Sequence, residues 1–203
     1  AHLFEHLMFR GTRAVENFDL PVQMASGDNN AFTNNDYTDF YITLPKDNLE
    51  TALWLESDRM EGLDITPAKL EAEKKVVIEE FRQRYLNQPY GDQTMLLRAL
   101  AYKVHPYRWA AIGLATDHIA GATLADVESF YRAHYRPSNA ILSISADMEE
   151  ERMLELAEKW FAPLADHPSA TAAIPQEPVQ TQARRQEVER DVPASTVTVA
   201  HHM

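Results

Sequence analysis

The apolar positions in AHLFEHLMF fall in two pairs, Leu3 with Phe4 and Leu7 with Met8. That spacing is helical and predicts a helix over residues 2–9. RGTRAVEN reads as a polar loop, and FDLPVQMASG predicts a short helix closed by Gly27. The pattern then changes. DNNAFTNNDYTDFYITLP is rich in Thr, Phe and Tyr, with Asn and Asp at its middle, which predicts a hairpin of two strands over 28–34 and 37–44. Residues 46–61 return to helical spacing, with Leu49, Leu53 and Leu55 near the buried face. Thr66 is a helix cap followed by Pro67 at the first helical position, and AKLEAEKKVVIEEFRQRYLNQ extends that helix to about residue 87.

A helix over about 91–103, a loop HPYRWAAIG, and a helix capped by Thr123 and running to about 134 come next. NAILSISAD predicts a buried strand, and residues 149–161 a helix. From Asp166 to Gln182 the composition turns to Pro, Ala, Thr and Gln, a linker signature. RRQEVERDV and STVTVAHH predict strands beyond it. The expected class is α+β, an antiparallel sheet with helices packed on it, and no internal repeat is present. The expected organisation is a domain over 1–165, a linker over 166–182 and the start of a following domain over 183–203.

The chain has 203 residues, 45% hydrophobic and 25% charged, enough for one well-cored domain and the edge of a second. A net charge of −12 argues against nucleic acid as partner, since phosphate recognition needs clustered Lys and Arg. With no cysteine, any metal must be held by His, Asp or Glu, and the compartment stays open between cytoplasm and periplasm. No run of 18 apolar residues exists, so no membrane-spanning helix is expected. Ala1 leads directly into a motif and STVTVAHHM stops within a strand-like alternation, so the chain is expected to be a fragment cut at both ends.

The first helix carries candidate chemistry. His2 and His6 are i and i+4, and Glu5 is i+3 from His2, so the three share one face. Two imidazoles one turn apart can grip a Zn²⁺ ion. Zinc lowers the pKa of a bound water to about 7, and the neighbouring Glu5 can take its proton. The order is H-x-x-E-H, the reverse of the commoner H-E-x-x-H. The alternative is a surface helix whose His and Glu hold nothing.

A catalytic zinc needs a third protein ligand. EAEKKVVIEEFRQR supplies two adjacent candidates. Glu79 has Lys75 four residues before it and Arg82 three after, which describes a solvated, ion-paired face. Glu80 lies two turns beyond Glu73, on a stripe with Val76 and Val77. Carboxylates on an apolar stripe are costly unless paired, and a metal would pair one of them. The alternative is a charged surface helix with an untidy register.

AHLFEHLMFRGT followed by EKKVVIEEFRQR resembles the pitrilysin family of zinc peptidases, the inverzincins. That group includes insulin-degrading enzyme and the mitochondrial processing peptidase. The resemblance implies that His2, His6 and Glu80 bind Zn²⁺, that Glu5 is the general base and that Glu73 supports catalysis. The family's ligand spacing of roughly 75 residues fits the 74 from His6 to Glu80 (80 − 6). GDNNAFTNNDYTDFY looks like the family's active-site strand, which implies substrate-binding roles for Asn30 and Ala31, and HYRPSNAILSISAD looks like a later strand of its fold. The implied function is a zinc endopeptidase acting on extended peptides, with a second homologous half or subunit closing the cleft. A non-catalytic homologous scaffold or partner subunit is the alternative. The family's strands upstream of the zinc helix have no counterpart here, so the fragment alone is expected to lack part of the machinery.

Asn29, Asn34 and Asn35 read as turn residues that satisfy local backbone. His105, His118, His134, His167, His201 and His202 have no ligand partner at helical spacing and read as structural or surface residues.

Overall fold

In the computed structural model, which describes residues 1–166 and 173–202, the chain runs α1 (His2–Leu7), α2 (Asp19–Met24), β1 (Asp28–Thr33), β2 (Thr38–Thr43), α3 (Leu49–Gly62), α4 (Pro67–Phe81), α5 (Gln93–Ala101), α6 (Thr116–Ala120), α7 (Leu124–His134) and α8 (Glu150–Phe161). The architecture is α+β, with helices gathered around one antiparallel hairpin. Its register runs from Asp28 opposite Thr43 to Thr33 opposite Thr38. Asn34 fixes the tip, its Oδ1 accepting from the N–H groups of Asp36 (2.8 Å) and Tyr37 (3.0 Å).

The capping signals act as their chemistry dictates. Thr66 Oγ1 accepts from Lys69 N–H at 3.2 Å, and Pro67 occupies the first helical position, where no N–H is needed. Thr123 and Asp126 form a reciprocal capping box at the start of α7. The predicted helix to residue 87 ends earlier. After Phe81 the chain winds into a π turn over Arg82–Leu86, closed by Asn87 N–H on Arg82 C=O at 2.8 Å. Gly91 packs against this turn, where a Cβ would sit 2.8 Å from the Tyr85 carbonyl oxygen. The end of α2 also differs from expectation. The left-handed residue is Ser26 (φ 58°), and Gly27 is required instead for space, since a Cβ there would lie 2.9 Å from both Leu44 Cβ and Thr43 O.

Three apolar clusters hold the helices. Phe4, Leu7 and Met8 of α1 and its end pack with Leu70 of α4 and Val127 of α7. Val77 and Phe81 of α4 pack with Ala110, Ile112 and Ile119. Val15, Phe18, Val22 and Leu55 form the third. Leu3 borders the first two, so α1 is wedged where α4 meets the rest. Arg59 of α3 is buried among aromatic rings, 4.3 Å from the centroids of Phe18 and Phe40, with its guanidinium paired to Glu56.

Three predicted strands are not strands. Residues 139–147 make no ladder, and Ile141 is 99% exposed rather than buried. Residues 184–192 and 195–202 likewise form no ladder. Alternating apolar residues specify an extended chain, but a strand also needs a neighbour, and among the described residues β1 and β2 pair only with each other. The second and third segments are tied to α5 and the residues just before it by side chains instead, the third through Gln93 and Thr198. Arg184 donates to the carbonyls of Leu100 (3.0 Å) and Ala101 (2.8 Å), Arg190 pairs with Asp92 at 2.6 Å, and Tyr90 Oη donates to Ala194 C=O at 2.7 Å. Most of the predicted linker, with His167, lies outside the described residues. No helix is long and apolar enough to cross a membrane among the described residues.

Candidate metal centre

Burying Phe4 and Leu7 sets the rotation of α1, and burying Leu70 and Val77 sets that of α4. The two helices then meet along the polar residues left over: His2, Glu5 and His6 from one, Glu73 and Glu80 from the other. His2, Glu5 and Glu73 are themselves buried.

One donor atom from each of His2, His6 and Glu80 lies within 4.8 Å of the others. His6 Nε2 is 3.3 Å from Glu80 Oε2, and His2 Nε2 is 3.6 Å from Glu80 Oε1. Zinc–nitrogen bonds of about 2.0–2.1 Å in a tetrahedron put neighbouring donors about 3.4 Å apart, so these residues fit zinc in donor type and each histidine fits it in its separation from Glu80, while the full set spreads to 4.8 Å. Arg84, one turn beyond Glu80, holds Oε1 at 2.9 Å and leaves Oε2 as the oxygen nearer His6. Glu79 is on the solvent face, paired with Arg82 at 3.5 Å. Val76, expected on the stripe with Glu80, is also exposed, so the stripe is narrower than the sequence suggested.

The second nitrogen of His6, Nδ1, lies 3.1 Å from Glu73 Oε2, and Arg10 pairs with the other oxygen of Glu73. This hydrogen bond raises the pKa of His6 against the opposing effect of burial. Burial alone would raise Glu73, but His6 and Arg10 together hold it below the ordinary glutamate range. Burial pushes His2 down to about 4, more than Glu80 pulls it up, so His2 is a neutral imidazole of the kind a metal requires. Its Nδ1 is buried without a hydrogen-bond partner among the described residues.

Glu5 is fixed from the hairpin. Thr33 Oγ1 donates to Glu5 Oε2, and Thr33 and Thr38 are joined hydroxyl to hydroxyl at 3.0 Å. Strand alternation places Ala31 on the same side of β1 as Thr33, and Asn30 on the exposed side. Asn30 is therefore not gathered with the cluster. Its Oδ1 accepts from the Ala31 N–H at 2.8 Å. Asn34 is the turn residue the sequence suggested, but Asn35 reaches across 74 residues to donate to Trp109 C=O (3.0 Å) and accepts from Arg98 (2.7 Å). Sequence reasoning passed over Arg10, Arg84 and Thr33. The first two are i+4 from His6 and Glu80, a readable signal, and Thr33 is i+2 from Ala31.

The family described as Insulinase (Peptidase family M16) matches residues 1–110, and the family described as Peptidase M16 inactive domain matches residues 121–202. The chain is 34% identical over 195 residues to the zinc protease PqqE of Helicobacter pylori, covering 94% of this chain and 44% of that one. It is 24% identical over 206 residues to a probable mitochondrial-processing peptidase subunit beta of Arabidopsis thaliana, covering 98% and 38%. A crystal structure of a protease from Helicobacter pylori superposes with a TM-score of 0.83 at 34% identity, over 90% of this chain and 45% of that one. The chain thus spans less than half the length of these relatives.

Proposed function

The chain belongs to the insulinase family of peptidases, family M16, and on that premise we propose that it is the zinc-bearing unit of a longer endopeptidase that cleaves extended peptides. The observation that carries the reading is the convergence of His2, His6 and Glu80 donor atoms within 4.8 Å. These three residues would hold the metal. Zinc, when bound, supplies a Lewis acid that polarises a carbonyl and acidifies water.

The rest is the work of the chain's own residues. Thr33 occupies Oε2 of Glu5, so Oε1 is the oxygen that takes a proton from the attacking water and passes it to the departing amine. Glu73 holds the Nδ1–H of His6, which keeps the Nε2 lone pair directed at Glu80 and His2. The unpaired edge of β1 accepts the substrate as an added strand, bound through main-chain groups that do not depend on sequence. Ala31 is small enough for close approach, and Asn30, whose Oδ1 accepts from the Ala31 N–H, would offer its Nδ2 group to a substrate carbonyl. A second homologous half or subunit closes the cleft.

A second reading, a non-catalytic scaffold of the same fold, is favoured by the match of residues 121–202 to the family's inactive domain. Elemental analysis of the purified chain beside His6→Ala and Glu80→Gln decides first. About one zinc per chain, lost in both variants, supports the metal site. Cleavage of a peptide by the full-length parent, abolished by Glu5→Gln, then supports the peptidase, while zinc without cleavage supports the scaffold.

A further inference from the structure

We infer that Thr33 is a positioning residue for Glu5, and that it ties the base to the strand on which the peptide would lie. The inference rests on the peptidase reading above. Glu5 belongs to α1, which is oriented by packing against α4 and α7. Nothing in that packing fixes the rotation of the Glu5 carboxylate. Among the described residues, its hydrogen bond comes from one side chain, Thr33 Oγ1, on the last residue of β1.

That hydroxyl is itself held. Thr33 and Thr38 are directly opposite in the hairpin register, and their hydroxyls are 3.0 Å apart. A hydroxyl has one proton. Thr33 gives its proton to Glu5, so at the second contact it must accept, and Thr38 is the donor. The order is Thr38 to Thr33 to Glu5, every proton pointing toward the carboxylate. Such a chain fixes the rotation of the carboxylate and which of its oxygens accepts from Thr33. The carboxylate is left with Oε1 as its proton acceptor.

The same strand carries Ala31 on the side shared with Thr33. A peptide paired to the edge of β1 and the base that acts on it are therefore referenced to one backbone, two residues apart. Serine keeps this arrangement, while valine has the shape of threonine without the hydroxyl.

The test uses the full-length parent, with peptide hydrolysis, zinc content and thermal unfolding measured on each variant. Thr33→Val should lower kcat about 10–100-fold, the range for lost orienting partners, with KM within about twofold and zinc unchanged. Thr33→Ser should restore kcat to within about threefold. If Thr33→Val does not fold, Thr33→Ala makes the same comparison with Thr33→Ser. Unchanged kcat in the folded hydroxyl-free variant overturns the inference, as does a loss that Thr33→Ser fails to rescue or that follows zinc. A parent that binds zinc and cleaves no peptide overturns the peptidase reading itself, which the unmodified protein reveals before any variant is compared.

Discussion

His6 Nδ1 lies 3.1 Å from Glu73 Oε2, although 67 residues separate them in sequence. The bond is the seam between α1 and α4 at the candidate metal centre. On the proposed function Glu73 differs from Glu80: it would orient a donor without being one.

The two carboxylates should therefore fail differently. Glu80→Gln should abolish stoichiometric zinc. Glu73→Gln keeps the shape of the side chain and loses the charge facing His6 and Arg10, so zinc should still bind, about 10–100-fold more weakly. Competition with a chromogenic chelator measures both. Equal loss in the two variants would make Glu73 a ligand.

Glu5→Gln should leave zinc content unchanged and abolish peptide cleavage by the full-length parent. Glu79→Gln should change neither, because Glu79 lies in an exposed ion pair with Arg82, a class worth 0–1 kcal/mol. A large loss of zinc at Glu79 would mean that the register of α4 is off by one residue.

The clustering of His2, His6 and Glu80 was partly legible because much of what determines it is local. His2, Glu5 and His6 share a helical face by spacing alone, and Glu79 and Glu80 are separated by the turn before them, which places Lys75 four residues before Glu79 and Val76 and Val77 four and three before Glu80. The caps at Thr66 and Thr123 were legible for the same reason. The partners that arrive across the fold were not. Thr33 meets Glu5 only once the hairpin docks on α1, and Asn35 looks like a turn residue until Trp109 is brought to it. The segments over 139–147 and 184–202 failed for a further reason. Their alternation encodes two faces, but pairing depends on a neighbouring strand, which these segments themselves do not specify.

Arg59 should matter for stability more than its distance from the metal centre suggests. The residue is 1% exposed, its guanidinium carbon lies over the rings of Phe18 and Phe40, and it neutralises Glu56, whose pKa burial pushes up. Arg59→Ala removes the stacking and leaves Glu56 without its cation, a change that costs about 3–5 kcal/mol. Thermal unfolding should fall by roughly 6–20 °C. Replacing Glu56 by Gln in the same chain should recover part of the loss, and no recovery would mean that packing alone was lost.

Glu177 predicts an acid-sensitive tether. Its carboxylate accepts the successive backbone N–H groups of Lys103, Val104 and His105 at 2.7–2.9 Å. Desolvation works to raise its pKa, yet these three bonds, helped by Arg184, bring it down to about 2. A folded pKa below the unfolded value of about 4.3 means that the unfolded chain binds the proton more readily. The stabilisation is therefore complete above the unfolded value and drains away as pH falls from about 4.3 toward 2. Hydrogen exchange at the 103–105 amides should be slow at pH 5 and accelerate at pH 3 beyond the intrinsic pH dependence. Glu177→Gln should abolish that excess, because its one amide oxygen can still accept from Val104 and His105 without titrating, while the bond from Lys103 is lost at every pH. If the excess persists in the variant, another group governs release of this segment from the end of α5.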